Sequence, residues 1–205
     1  GILSENKTDI SYYSGLVPDK PIIDIPSVMI EDLIKDYPRI QKEEKVMIGG
    51  NFCRWYGGFD SYIVAQEFNC QIFAPSMGRR IENEEIVPNL THYPYLNWNE
   101  WIKTLATHKY AVHMMPTIAA GTFAMNCAFL GVPCIGYENA DTQRILHPEL
   151  SVEMGDIKKA RKLANKLKND KNFFENCSKG CKLNYEEYFS EKVFVKHMNE
   201  TFKIG

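Results

Sequence analysis

The sequence has no apolar run approaching the roughly 20 residues that a helix needs to cross a bilayer, so no transmembrane segment is expected. It also lacks an excess of either charge. Lys and Arg number 24 against 26 Asp and Glu, a formal net charge of −2. No basic stripe is interleaved with aromatic residues, which argues against nucleic-acid binding as the main activity. Paired cysteines are lacking too. Of Cys53, Cys70, Cys127, Cys134, Cys177 and Cys181, only the last two lie close together, and no second pair at zinc-ligand spacing accompanies them. Reduced core cysteines in a cytoplasmic protein are therefore the expectation, with no metal site. There is no visible signal peptide, no low-complexity tract and no internal repeat beyond a βα rhythm. The chain starts at Gly1, in a polar segment without a start signal, which reads as a piece of a longer protein.

What remains is enough for a folded core. Hydrophobic residues make up 44% of the 205 and charged residues 24%, which suits one domain or one domain with appendages. The stretch from Tyr110 to Tyr137 organises the rest. An apolar run, Ala111 to Met115, closes at Pro116, and a small-residue loop leads to Gly121. An amphipathic helix is expected from Thr122 to Leu130, broken by Gly131-Val132-Pro133. A second apolar run, Cys134 to Tyr137, follows at once. Short buried strands with a helix between them give the βαβ pattern of a parallel sheet. The helix starts at a Gly-Thr pair just past a strand, where free N–H groups and the helix dipole can receive a phosphate.

Before this stretch, residues 1–20 read as an irregular lead-in. Residues 21–26 read as an extended segment between prolines, either an edge strand or a linker. Ser27 is placed to cap a helix toward Tyr37, with Val28, Ile30, Leu33 and Ile34 inward. Strands are expected at Val46–Gly49, Gln71–Ala74 and Leu90–Tyr93, and a helix at Phe59–Phe68. Residues 76–89 read as a surface loop. Asn97 with Glu100 three residues on makes a capping box, opening a helix to Thr107 with Trp98, Trp101, Ile102 and Leu105 inward. These runs begin about 20 to 25 residues apart, the rhythm of βα units. Residues 139–148 read as a loop or a brief helix, and Ser151 to Glu153 as a sixth strand. Asp156 caps a helix with Ile157, Ala160, Leu163, Ala164 and Leu167 at helical spacing. Residues 171–204 read as two helices, Ser190 capping the second. The expected fold is α/β: a Rossmann-like doubly wound parallel sheet with C-terminal helices.

Such a sheet binds its ligand beyond the carboxyl ends of its strands. After Ile48 come Gly49, Gly50 and Asn51, then Arg54. Glycines let a backbone approach a ligand, and Arg can fork onto phosphate oxygens. A tight turn with a solvated Arg is the alternative. After Met115 come Thr117, Gly121 and Thr122, with no obvious acid or nucleophile, which suits binding better than covalent chemistry. Asn126 is placed to bond a sugar hydroxyl or to be satisfied internally. After Tyr137 come Glu138, Asn139, Asp141, Thr142 and Gln143, a sugar-contacting cluster or a solvated turn. His92, Tyr93 and Tyr95 could frame a base or simply pack. His113, inside an apolar run, reads first as a core histidine.

The stretch HMMPTIAAGTFAMNCAFLGVPCIGY resembles the C-terminal, nucleotide-sugar-binding domain of GT-B glycosyltransferases. In that family a strand ends in Pro, a loop and an Ala-rich helix follow, and Gly-x-Pro precedes the next strand. The likeness extends to Val46-Met47-Ile48-Gly49-Gly50, to the linker-like Ile23-Asp24-Ile25-Pro26 and to the final helices, covering most of residues 20–205. It implies three parts: residues 1–42 as lead-in and interlobe linker with a short helix, 43–170 as the Rossmann-like donor-binding domain, and 171–205 as a C-terminal helical extension. One departure concerns two glutamates that many retaining members carry around this helix. Those positions here hold Ile118 and Asn126.

The resemblance implies the donor-binding half of a glycosyltransferase, moving sugar from a nucleotide diphosphate to a glycan, lipid or protein acceptor. An N-terminal acceptor lobe would lie outside these residues. Gly49, Gly50, Arg54 and the Gly121-Thr122 helix start would face the pyrophosphate, Asn126 the ribose, and the Glu138 to Gln143 loop the sugar. No cofactor is implied beyond the nucleotide sugar itself. Two alternatives stand beside it: a sugar-nucleotide epimerase, using His113 or Glu138, and a non-catalytic nucleotide-binding module.

Overall fold

The computed structural model describes residues 1–34, 40–76 and 87–203. The chain opens with β1 (Ile2–Ser4), α1 (Ile10–Leu16) and β2 (Ile22–Asp24). β1 and β2 pair parallel as a small separate sheet. The apolar runs that follow form the main sheet: β3 (Glu43–Ile48), β4 (Gln71–Ala74), β5 (Leu90–His92), β6 (His108–His113), β7 (Cys134–Tyr137) and β8 (Ser151–Val152). Its order is β5-β4-β3-β6-β7-β8, and every pairing among the described residues is parallel. Counted from β3 this is the doubly wound order, whose direction of winding reverses between β3 and β6. The connecting helices are α2 (Gly58–Ala65), α3 (Trp98–Ala106), α4 (Thr122–Leu130), α5 (Asp141–Leu146) and α6 (Ile157–Asn169). Two more, α7 (Lys171–Tyr188) and α8 (Glu191–Phe202), close the chain. Among the described residues no helix is long and apolar enough to cross a membrane.

Alternation along the strands divides the core. Val46, Ile48, Ile72, Tyr110, Val112 and Ile135 pack with α2 and α6 residues such as Val64, Ala160 and Leu167. Phe68 stacks on Tyr110 there, with ring centroids 4.2 Å apart. Met47, Ala111 and Cys134 face the other way, toward Leu105 of α3 and Phe123 and Cys127 of α4. Full burial of each large apolar side chain stabilises by about 1.5–3 kcal/mol, so both faces of the sheet must be covered. The capping box is present. Asn97 Oδ1 accepts from Glu100 N–H, and the Glu100 carboxylate accepts from Asn97 N–H, both at 3.1 Å.

Several expectations from sequence are corrected. The lead-in is not irregular, because β1 finds its partner in β2 and α1 fills the connection. The helix expected after Ser27 does not form among the described residues, of which 35–39 are not part. Met29 and Ile34 are buried, while Val28, Ile30 and Leu33 are exposed. Only a 3-10 turn, Glu31–Leu33, is present. Ser27 instead donates to Ala120 O, and Glu31 ties this segment to the C-terminal helices by accepting from Tyr185 Oη (2.8 Å) and Glu191 N–H (2.7 Å). The expected surface loop at 76–89 falls largely on residues 77–86, outside the described residues. The fourth strand ends at His113 rather than Met115, since Met114 N–H leaves the ladder to donate to Ser61 Oγ at 2.9 Å. Helix α4 is not amphipathic: Phe123 to Ala128 are all buried, between the sheet and α3, α5 and α7. Ser190 stands at the start of α8, but its hydroxyl donates back to Glu186 O rather than capping the helix.

Candidate functional site

At the carboxyl edge, where the sheet reverses between β3 and β6, lies a cleft of about 500 Å³. Its floor is Gly50, just beyond the end of β3, and His113, the last residue of β6, and the first turn of α4 closes one side through Gly121, Thr122 and Phe123. Gly49 makes this packing possible. A Cβ there would lie 2.5 Å from His113 Cγ and 2.6 Å from the Phe123 ring.

Side chains from two other parts of the chain fix the loop before α4. Asn6 Nδ2 donates to Ala119 O (2.7 Å), Ser27 Oγ to Ala120 O (3.2 Å) and Thr142 Oγ1 to Gly121 O (3.0 Å). Asn139 Nδ2 donates to Pro116 O (3.2 Å), and Thr117 Oγ1 donates to Trp55 O (3.0 Å). Four of the loop's carbonyls are thus occupied. Gly121 takes the left-handed conformation (φ 67°), and no side chain caps the helix it begins. The first N–H groups of a helix have no intrahelical partner, and together with the helix dipole they favour an anion.

The walls are aromatic. Tyr56, Tyr95, Trp98, Trp101 and Phe123 line the cleft, and among the described residues no Lys, Arg, Asp or Glu does. Asn126 lies on the same side, 6% exposed. In the orientation that satisfies its amide, Oδ1 accepts from Trp101 Nε1 (3.2 Å) and Nδ2 donates to Thr122 O (3.3 Å). One amide hydrogen and one lone pair remain for a ligand. His113 meets Phe123 edge-on, with ring centroids 5.1 Å apart. Burial pushes its pKa down to about 4, so the imidazole is neutral at pH 7. Its Nε2 is enclosed, with no partner among the described residues.

The structure thus brings together Gly49, Gly50, Gly121, Thr122, Asn126, His113 and Tyr95. It leaves other candidates elsewhere. Arg54 is exposed on the turn Arg54–Tyr56 and does not line the cleft, and neither does the buried Asn51 nor Thr117. Tyr93 stacks on Phe73 (4.9 Å, 17°) and meets His108 edge-on, a packing role that also places its phenol away from the cleft lining. His92 packs edge-on to Phe52. Glu138 is exposed. Asp141 and Gln143 are buried and engaged: Asp141 accepts from Lys7 N–H (2.7 Å) and pairs with Arg144, and Gln143 Nε2 donates to Cys134 O (3.0 Å). From Asn139 to Gln143 the polar run after β7 is therefore bonded internally rather than forming a solvated turn, and Glu138 faces solvent. Tyr56, Trp98, Trp101 and Phe123 were missed as cleft residues. The available signal was position: Trp98 and Trp101 open the helix that follows β5, at the carboxyl edge of the sheet.

No family model and no curated protein matches the sequence. Solved structures do match it. Sucrose-phosphate synthase from Thermosynechococcus elongatus is similar over 98% of this chain and 57% of its own, at 14% identity and a TM-score of 0.73. A TarM variant of S. aureus, crystallised with UDP among other ligands, is similar over 97% of this chain and 43% of its own, at 15% identity and a TM-score of 0.74. Anabaena HepE in complex with UDP-glucose is similar over 98% of this chain and 63% of its own, at 9% identity and a TM-score of 0.72. The fold is that of one GT-B lobe. At these identities the likeness concerns the fold, and this GT-B lobe spans about half the length of the structures it matches.

Proposed function

We propose that this lobe holds the nucleotide-diphosphate sugar donor of a glycosyltransferase. The observation that carries the reading is the cleft at the winding reversal, with the uncapped start of α4 on one side and aromatic rings on the others. The diphosphate would lie against the N–H groups of α4 and the Gly49-Gly50 backbone, where the helix dipole stabilises negative charge. That charge grows as the sugar–phosphate bond breaks, so the same amides favour the transition state over the ground state. Tyr95, more than two-thirds exposed, and Trp98 offer flat surfaces for a base. Asn126 retains an amide hydrogen for a ribose hydroxyl. UDP and UDP-glucose, found in two of the similar structures, are ligands of this chemical class.

No carboxylate lines the cleft among the described residues, so a base for the acceptor would come from another lobe. In this reading residues 43–170 are the donor-binding unit, residues 1–42 the crossing segment and 171–205 the C-terminal extension. A second reading, a nucleotide-binding module without catalysis, is favoured by Ile118 and Asn126 standing where acidic residues occur in retaining relatives. An epimerase fits less well: His113 lines the cleft, but Glu138 is exposed and outside that lining, so His113 has no carboxylate to work with among the described residues there.

A thermal-shift panel of nucleoside diphosphates and their sugars tests the proposal. A ligand at about 100 times its Kd stabilises by about 2.7 kcal/mol, and absence of any shift at millimolar levels overturns the donor site. Tyr95→Ala is expected to weaken binding about tenfold through lost stacking, while Arg54→Ala leaves it unchanged. Product analysis with the acceptor lobe present then separates transfer from binding alone.

A further inference from the structure

Helix α6 carries the least balanced charge of any helix among the described residues. Its thirteen residues include Lys158, Lys159, Arg161, Lys162, Lys166 and Lys168 and no carboxylate, in a protein whose formal net charge is −2. Ala160, Ala164 and Leu167 are buried against the sheet side. That turns Lys158, Lys162 and Lys166 outward as one row, spaced four residues apart and about 12 Å long. All three are exposed, as is Lys159 beside them. Among the described residues, Arg161 is the α6 cation held by a carboxylate, that of Glu67. Like charges four residues apart repel, so this row costs helix stability unless something anionic receives it.

We infer that the outer face of α6 is a docking surface for an anionic lipid bilayer. A polynucleotide groove combines cations with stacking rings or free Arg forks. Here the one Arg is engaged, and the half-buried Phe173 ring is covered by Lys166 Nζ at 3.9 Å. Lysines are compact point charges suited to a fluid headgroup layer. Met154, 63% exposed just ahead of the helix, supplies an apolar side chain for shallow insertion. α6 covers the sheet face opposite α3 and α4, so a bilayer held there leaves the aromatic walls of the cleft uncovered.

Co-sedimentation of the whole chain with phosphatidylcholine vesicles, with and without phosphatidylserine, tests the inference. Binding is expected with phosphatidylserine alone, and it should weaken as salt shortens the screening length. Each neutralised lysine costs about fivefold in affinity, so the Lys158→Gln, Lys162→Gln, Lys166→Gln triple variant should lose about a hundredfold. Its melting temperature should match that of Lys166→Gln alone, which also loses the Phe173 contact, and this separates lost binding from lost folding. A control triple, Lys20→Gln, Lys192→Gln, Lys196→Gln, removes the same charge elsewhere and should still bind. Equal binding to neutral vesicles, equal loss in both triples, or tighter binding to single-stranded oligonucleotides than to vesicles would overturn the inference.

Discussion

Helices α4 and α6 each follow a strand of the same parallel sheet, yet they are built in opposite ways. The nine residues of α4 contain no charged side chain, and six of them are buried on every side of the helix. Glycines in the left-handed conformation bracket it, Gly121 at φ 67° and Gly131 at φ 62°; no side chain caps its start, while at its end Lys42 Nζ donates to Leu130 O (3.0 Å) and Ser178 Oγ to Gly131 O (2.7 Å). Helix α6 buries one stripe, exposes Lys158, Lys159, Lys162 and Lys166 and is capped by Asp156, whose Oδ1 accepts from Lys159 N–H at 2.9 Å. The difference is one of where stability arises. α6 gains from its cap and its amphipathic stripe, whereas α4 depends almost wholly on packing by its neighbours. The uncapped start of α4 leaves its first amides available at the cleft, and the capped start of α6 does not.

This contrast can be broken most strongly beneath α4. Gly49→Ala would press a methyl into both His113 and Phe123, and should cost about 3 kcal/mol in urea denaturation. A loss below about 1 kcal/mol would mean that the start of α4 is free to shift.

Acid should act on the same side of the sheet. His147 Nε2 donates to Ala124 O of α4 at 2.9 Å, and its Nδ1 accepts from Cys134 N–H at 3.4 Å. Those partners suit the neutral ring, and burial pushes its pKa down from 6.5 to about 4. The unfolded chain therefore binds the proton first. The stability from the neutral ring is complete above pH 6.5 and is lost as pH falls toward 4, about 3 kcal/mol at the limit. His147→Gln should flatten the slope of melting temperature between pH 7 and pH 4.5 (about the range of the shift). An unchanged slope would remove this histidine from the acid response. The smallest expected effect is on α6, where Asp156→Ala removes a cap and should cost about 1 kcal/mol in the same assay. A loss as large as that at Gly49 would show that α6 is no more self-sufficient than α4.

Much of this was legible from residue order. Gly131-Val132-Pro133 ended α4 at Leu130, and Asn97 with Glu100 started α3, because breakers and caps act within a few residues. The segment after Ser27 misled. Its apolar residues have helical spacing, but Ile34 and Met29 are the ones buried, and Glu31 is drawn instead to Tyr185 and Glu191, more than 150 positions away. The candidate site divided in the same manner. Gly50, Gly121 and Asn126 could be placed from the strand ends, since a doubly wound sheet binds at its carboxyl edge. Asp141 and Gln143 could not be told from solvent-facing residues, because their partners, Lys7 N–H and Cys134 O, lie in other segments.

By itself, then, the stretch from Tyr110 to Tyr137 determined a strand, a helix opened by Gly121 and closed by Gly131, and a second strand, since periodicity, Gly and Pro are local properties of a chain. Only the tertiary structure decided that this helix is buried on all sides, that its preceding loop is tied down by Asn6 and Ser27, and that rings from Tyr56, Tyr95 and Trp98 close the cleft before it. Those outcomes depend on which distant segments arrive at the sheet edge, and no local pattern encodes an arrival.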